Sequence, residues 1–169
     1  MVECVECWSG KQGGVTGGMG LLVYQCVQCL LDAGADVRVI ALQPRASHPV
    51  ERDSRVRLIW GDVRDRFLVR HAVAGCDVVF HLAGQASVTR SWGPSFGEYA
   101  RNNIEATQRL LEACVSAGID RFVYASSSSV YGDAMLMPTP ETCLHRPTSP
   151  YGVSKLAGQH PFHAYTRGP

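Results

Sequence analysis

The sequence predicts an α/β protein built on a doubly wound parallel sheet with helices on both faces. Three observations predict it. Short runs rich in Val, Ile and Leu alternate with amphipathic runs of helical length. The segments that join them are mostly short and rich in glycine and small residues. The residues that carry chemistry fall just after the expected strands: a glycine turn at Gly17, then Asp62, Ala83-Gly84, and a serine run from Ser126. Alternating strands and helices imply parallel pairing, because each parallel connection must cross back over the sheet. The expected strand order is 3-2-1-4-5, with ligands at the carboxyl ends near the switch between strands 1 and 4. Four separate segments then point to one crevice.

Taken in order, residues 1–11 read as an irregular extension ahead of a single domain over 12–169. The first strand ends at Val15-Thr16 and reads as weak, because Gln12, Gly13 and Gly14 stand where a buried strand should show branched residues. From 21 to 33 the residues Leu22, Val23, Cys26, Val27, Leu30 and Leu31 follow a helical period, and Gly34 is a stop signal. A second strand covers 37–42 and a third 56–60, separated by a loop rich in Pro and Ser. A helix over 64–74 and a strand over 76–82 follow. The next helix, 95–117, sets Tyr99, Asn103, Thr107, Leu110, Leu111, Cys114 and Val115 on one side. A fifth strand, 121–125, delivers the serines, and a proline-rich loop leads to a last helix carrying Tyr151.

The bulk composition excludes several classes. The chain has 169 residues, 46% of them hydrophobic and 18% charged, with a net charge of +1. That balance suits one globular domain and argues against nucleic acid as a partner, since no basic stripe appears. No apolar run approaches the roughly 18 residues of a membrane span, and the polar start is not a signal peptide. The expected location is cytoplasmic. Seven cysteines in such a chain do not make a disulfide framework. Cys4-x-x-Cys7 and Cys26-x-x-Cys29 do fit a four-cysteine zinc template. Against it, Cys26 and Cys29 lie in an amphipathic run, where cysteine serves as a small core residue.

Chemistry concentrates between Ala125 and Lys155. Tyr151 and Lys155 are four apart, hence one turn apart on one helix face. An ammonium beside a phenol favours the phenolate, which tunes tyrosine towards use as a base near neutral pH. Only two lysines occur, Lys11 and Lys155, against fourteen arginines, so lysine stands out where a compact cation is useful. At the other end of the chain, the glycine turn opens a helix and offers backbone N–H groups to a pyrophosphate.

Together, Thr16-Gly-Gly-Met-Gly20, Gly61-Asp-Val63, His81-Leu-Ala-Gly-Gln85, Ser126-Ser-Ser-Ser-Val-Tyr-Gly132 and Tyr151-Gly-Val-Ser-Lys155 resemble the extended short-chain dehydrogenase/reductases. Within them the sequence is most similar to the NAD-dependent sugar-nucleotide epimerase/dehydratase group of the UDP-glucose 4-epimerase kind. The resemblance covers about residues 14–160. It implies a Rossmann-like fold, NAD as cofactor, a nucleotide-sugar as substrate, and leaves a homodimer open. Gly17, Gly18, Gly20, Leu21 and Leu22 would line the pyrophosphate. Asp62 would hydrogen-bond the adenine, with Val63 beside it. Leu82, Ala83 and Gly84 would border the nicotinamide ribose, with Asn102 or Asn103 holding the loop below. Ser127 is similar to the family's catalytic Ser/Thr, Tyr151 would be the base, and Lys155 would hold the nicotinamide ribose. Ser87 is a candidate substrate contact. The implied reaction is removal of the sugar 4-OH proton with hydride transfer to NAD.

Several positions depart from the family's pattern. Val23 stands in place of the third glycine and is expected to crowd the turn. Ala41 stands where an acid should hold the adenosine ribose, and Arg38 and Arg45 nearby leave NADP open as cofactor. Pro161 is expected to break or kink the last helix. The sequence stops at Pro169, short of the family's remaining strands and substrate domain, so a C-terminally truncated chain of impaired activity is expected. A non-catalytic NAD(P)-binding sensor with the same fold is the alternative, which retained Ser127, Tyr151 and Lys155 argue against.

Overall fold

Five parallel strands form one sheet in the order β3-β2-β1-β4-β5. They are β1 (Gln12–Thr16), β2 (Asp36–Ala41), β3 (Val56–Trp60), β4 (Val78–His81) and β5 (Arg121–Tyr124). The helices are α1 (Leu21–Asp32), α2 (Arg66–Val73), α3 (Phe96–Tyr99), α4 (Ala106–Ser116) and α5 (Pro150–Arg167), with a π-helical segment over Ala100–Glu105 between α3 and α4. The structure is a computed structural model that describes residues 8–18, 20–43, 50 and 53–167. Of the extension expected over residues 1–11, residues 1–7 lie outside the described part. Trp8 packs against the core beside Phe80, with ring centroids 6.2 Å apart.

The strand that reads as weak in sequence is the centre of the sheet, hydrogen-bonded to β2 on one side and β4 on the other. Its glycines explain this. A Cβ on Gly13 would stand 3.3 Å from a Leu30 methyl of α1. One on Gly14 would stand 3.3 Å from Cys76 Sγ and from Val79. Successive residues point to opposite faces, so the two glycines bring neighbours close on both sides of β1. Val15, Val37 and Val39 then meet Val23, Val27, Leu30 and Leu31 in one core cluster. Val79 meets Val69, Val73, Leu110 and Cys114 in another.

Each helix end has a local cause. α1 stops where Gly34 takes φ +88 and the Gly34 and Ala35 amides close back on Leu31 and Leu30 carbonyls. α2 starts at Arg66 rather than Arg64, because the Asp65 carboxylate accepts from the Phe67 and Leu68 amides as a cap. α5 starts with Ser149, whose hydroxyl accepts from Gly152 N at 3.0 Å, and with Pro150 in the first turn. Pro161 lies inside α5 and does not break it, since the helix runs on to Arg167.

Among the described residues, contacts divide the chain into two compact units. The sheet unit runs to Ala83 and includes Arg109–Tyr124. The second comprises Gly84–Gln108 and the stretch from Ala125 onwards. No described helix is long and apolar enough to cross a membrane.

Candidate functional site

In the sheet unit the glycine turn follows β1 and opens α1. Gly17 has φ +128, and a Cβ there would lie 2.7 Å from the Leu82 carbonyl carbon, so only glycine fits. At Gly18 and Gly20 a Cβ would meet nothing within 4 Å. Gly20 caps α1 without a side-chain bond, and the first turn holds no acid. The first-turn amides therefore keep their positive end open to an anion. Leu21 and Leu22 stand out from this turn, 78% and 64% exposed. Leu22, counted in sequence among the periodic apolar positions, is thus outside the core. Val23, which stands in place of the third glycine, is 4% exposed and packed in the core cluster. Cys26 packs partly buried beside it, and burial pushes its thiol pKa up.

Behind the turn, Thr16 and His81 end neighbouring strands and are fully buried. Thr16 Oγ1 lies 2.7 Å from His81 Nδ1 and accepts from the Ala83 amide at 3.2 Å. This pair ties Leu82-Ala83 to the end of β1.

Asp62 follows β3 after Gly61, as the sequence indicates. Its carboxylate is already engaged. Arg64 donates to it from Nε at 2.9 Å and from Nη2 at 2.5 Å, and the Arg64 amide donates at 2.8 Å. The Arg64 guanidinium holds the Asp62 carboxyl below the usual carboxylate range. Sequence reading missed this partner, although two positions of spacing in a turn is the signal for it. Val63 packs partly buried against the second core cluster. Ala41 is buried at the end of β2. Arg38 donates from Nη1 to the Ala72 and Ala74 carbonyls. Arg45 lies outside the described residues, as do Cys4 and Cys7 of the zinc template. Among the described residues no cluster of three metal-ligating side chains exists.

In the second unit Lys155 is 6% exposed, in the second turn of α5. Burial pushes its ammonium down to about 8 from an ordinary 10.5. A Cβ at Gly84 would stand 3.3 Å from Lys155 Nζ and 3.0 Å from Asn103 Oδ1, so these three positions converge. Asn103, and not Asn102, holds the loop. Its Oδ1 accepts from Gln85 N at 2.7 Å, while its Nδ2 donates to Gln85 O at 3.1 Å and to Ser154 Oγ at 2.9 Å. Asn102 turns back to the Glu98 carbonyl at 2.8 Å.

The serine run meets the first turn of α5. A Cβ on Gly152 would lie 2.5 Å from the Ser129 carbonyl oxygen, so the glycine after Tyr151 permits that contact. Ser127 has an extended backbone, and its hydroxyl accepts from the Ser129 amide at 3.2 Å. Ser126 receives Gln159 Nε2 at 2.5 Å. Tyr99, fully buried, sets its ring edge-on to Tyr151 with centroids 6.3 Å apart.

A five-stranded parallel sheet with a glycine turn between its central strand and the first helix defines a Rossmann-like α/β protein. Residues 14–168 match the model of the family described as NAD dependent epimerase/dehydratase, and the chain belongs to that family. It is 36% identical over 152 residues to a UDP-glucose 4-epimerase of Streptomyces lividans, covering 86% of this chain and 45% of that protein. The UDP-glucuronic acid 4-epimerase of Bacillus cereus, solved with UDP-glucuronic acid and NAD, superposes with a TM-score of 0.85 at 35% identity. That match covers 93% of this chain and 52% of the other. MoeE5, solved with UDP-glucose and NAD, superposes with a TM-score of 0.82 at 39% identity, covering 93% and 50%. The chain spans about half the length of these solved structures, and between 25% and 48% of the curated relatives it matches.

Proposed function

We propose that this chain carries the NAD-binding and proton-transfer machinery of a nucleotide-sugar epimerase or dehydratase. The observation that carries the reading is Lys155: a lysine almost wholly withdrawn from water, one helical turn beyond Tyr151 and against Gly84. Burying an ammonium is costly, and such burial clusters at sites that use the group.

The residues fit NAD. Gly17 makes the turn against the Leu82 backbone, Gly18 and Gly20 leave room for a pyrophosphate, and the uncapped start of α1 supplies amides to it. Asp62 and Val63 would meet the adenine, Leu82, Ala83 and Gly84 the nicotinamide ribose, and Lys155 would donate to that ribose. Asn102, bonded along its own helix, takes no part in this reading; Asn103 holds the loop instead. With MoeE5 and the Bacillus cereus epimerase both solved with NAD, NAD is favoured over NADP. When bound, NAD supplies the hydride acceptor. Tyr151 would take the proton of the sugar 4-OH, with Ser127 sharing that proton through its hydroxyl. Ser87 would contact the sugar-nucleotide.

Thermal unfolding with NAD tests the binding half. A ligand that binds only the folded state at 100 times its Kd adds about 2.7 kcal/mol. NAD is expected to raise Tm, NADP to do so less, and absence of any shift at millimolar NAD refutes the cofactor. For the chemistry, UDP-glucose, UDP-glucuronic acid and dTDP-glucose are incubated with the chain and NAD. Epimerised or 4-keto product lost in Tyr151→Phe supports Tyr151 as base. Product unaffected by that substitution overturns it.

A further inference from the structure

Among the described residues, Ser87 is the one non-glycine residue with a positive φ, +96. A side-chain-bearing residue held there is strained, and such strain persists only when its surroundings enforce it. The enforcement is visible. The Tyr99 hydroxyl lies 2.8 Å from the Ser87 carbonyl oxygen and 3.1 Å from that of Ala86. Just upstream, Asn103 holds both the amide and the carbonyl of Gln85. Tyr99 and Asn103 are four apart and both about 1% exposed. Two buried side chains on one helical face thus pin three consecutive residues. The ring of Tyr99 also meets Tyr151 edge-on, 77° between planes, an arrangement favoured by aromatic quadrupoles.

We propose that Tyr99 is a positioning residue that sets the left-handed Ser87 turn with its hydroxyl and the Tyr151 ring with its edge. The loop contact to the substrate and the proton-accepting phenol are thereby spaced by a single rigid side chain. The proposal rests on the functional reading above for what is positioned, but the clamp itself is testable without turnover.

The experiment combines Tyr99→Phe and Ser87→Gly, singly and together. Phenylalanine keeps the ring edge and removes the hydroxyl; glycine adopts φ +96 without strain. Tyr99→Phe is expected to lower Tm by about 3 °C, a typical loss for a hydrogen-bonding group in a chain of this size. In the Ser87→Gly background that loss is expected to grow, because glycine leaves no strain for a released turn to recover. Equal losses in the two backgrounds overturn the clamp. With NAD and UDP-glucose, Tyr99→Phe is expected to raise KM about tenfold with a smaller fall in kcat, because the loop loosens while the ring contact stays. Unchanged KM and kcat in the folded variant assign Tyr99 to stability only and overturn the positioning role. A wild-type chain that never turns over UDP-glucose defeats the functional reading, and the Tm comparison then decides the clamp by itself.

Discussion

Lys155→Met separates what the lysine does for function from what it costs the fold. Met has nearly the same length and needs no water. The Lys155 ammonium is pushed by burial from 10.5 to about 8. At about 1.4 kcal/mol per pH unit, holding the charged form in place costs on the order of 3 kcal/mol. The sign follows from proton counting. Between pH 8 and 10.5 the unfolded chain binds more protons at this site than the folded chain, so stability rises with pH across that window. The cost is fully present below pH 8 and gone above 10.5. Other groups titrate alike in both proteins, so the difference between variant and wild type isolates this one. Lys155→Met is expected to be more stable than wild type at pH 7, with a gain that shrinks by about 1.4 kcal/mol at pH 9. Urea unfolding of both proteins at the two pH values measures it. A difference that does not change with pH refutes the reasoning, because the lysine would then not be held charged against its surroundings. The same variant should lose the Tm rise with NAD.

Gly17→Ala should both lower stability, by about 2–4 kcal/mol, and abolish the NAD shift, since its Cβ would sit 2.7 Å from Leu82 backbone in a left-handed conformation; denaturant unfolding and NAD titration check this. Val23→Gly, which restores the family's glycine, should destabilise by about 2–4 kcal/mol, because it deletes a buried valine and puts glycine inside a helix. A more stable variant would support the crowding expected from sequence. Arg64→Ala should raise the Asp62 carboxyl towards its ordinary value, observable by NMR titration. The lowered folded value contributes stability present above the ordinary value and lost as pH falls through the folded one. The variant should therefore be less stable than wild type at pH 7, by a margin that narrows as pH falls through the lowered Asp62 value.

Sequence alone determined the class of fold and its strand order, because apolar periodicity and right-handed parallel crossovers leave few arrangements open. Most elements differ from their sequence ranges by one or two residues at the ends, where capping decides. Asp65 and Ser149 set two of those ends through single hydrogen bonds. The glycines, Asp62, Tyr151 and Lys155 were legible because turns, helix starts and four-residue spacing are local features. Other facts needed packing partners far along the chain. Gly13 and Gly14 look like defects until Leu30, Cys76 and Val79 close on them. That Val23 is buried in the core cluster follows from partners on β1 and β2, outside the turn itself. Asn102 and Asn103 are adjacent in sequence and equivalent in chemistry. Only the turn of the π-helical segment, placing residue 103 and not 102 against Gln85 and Ser154, selects between them. Helix phase and long-range contact are properties of the folded chain, since a side chain's role depends on which distant groups surround it. For the same reason the strained turn at Ser87, held by Tyr99, lay beyond any reading of local spacing.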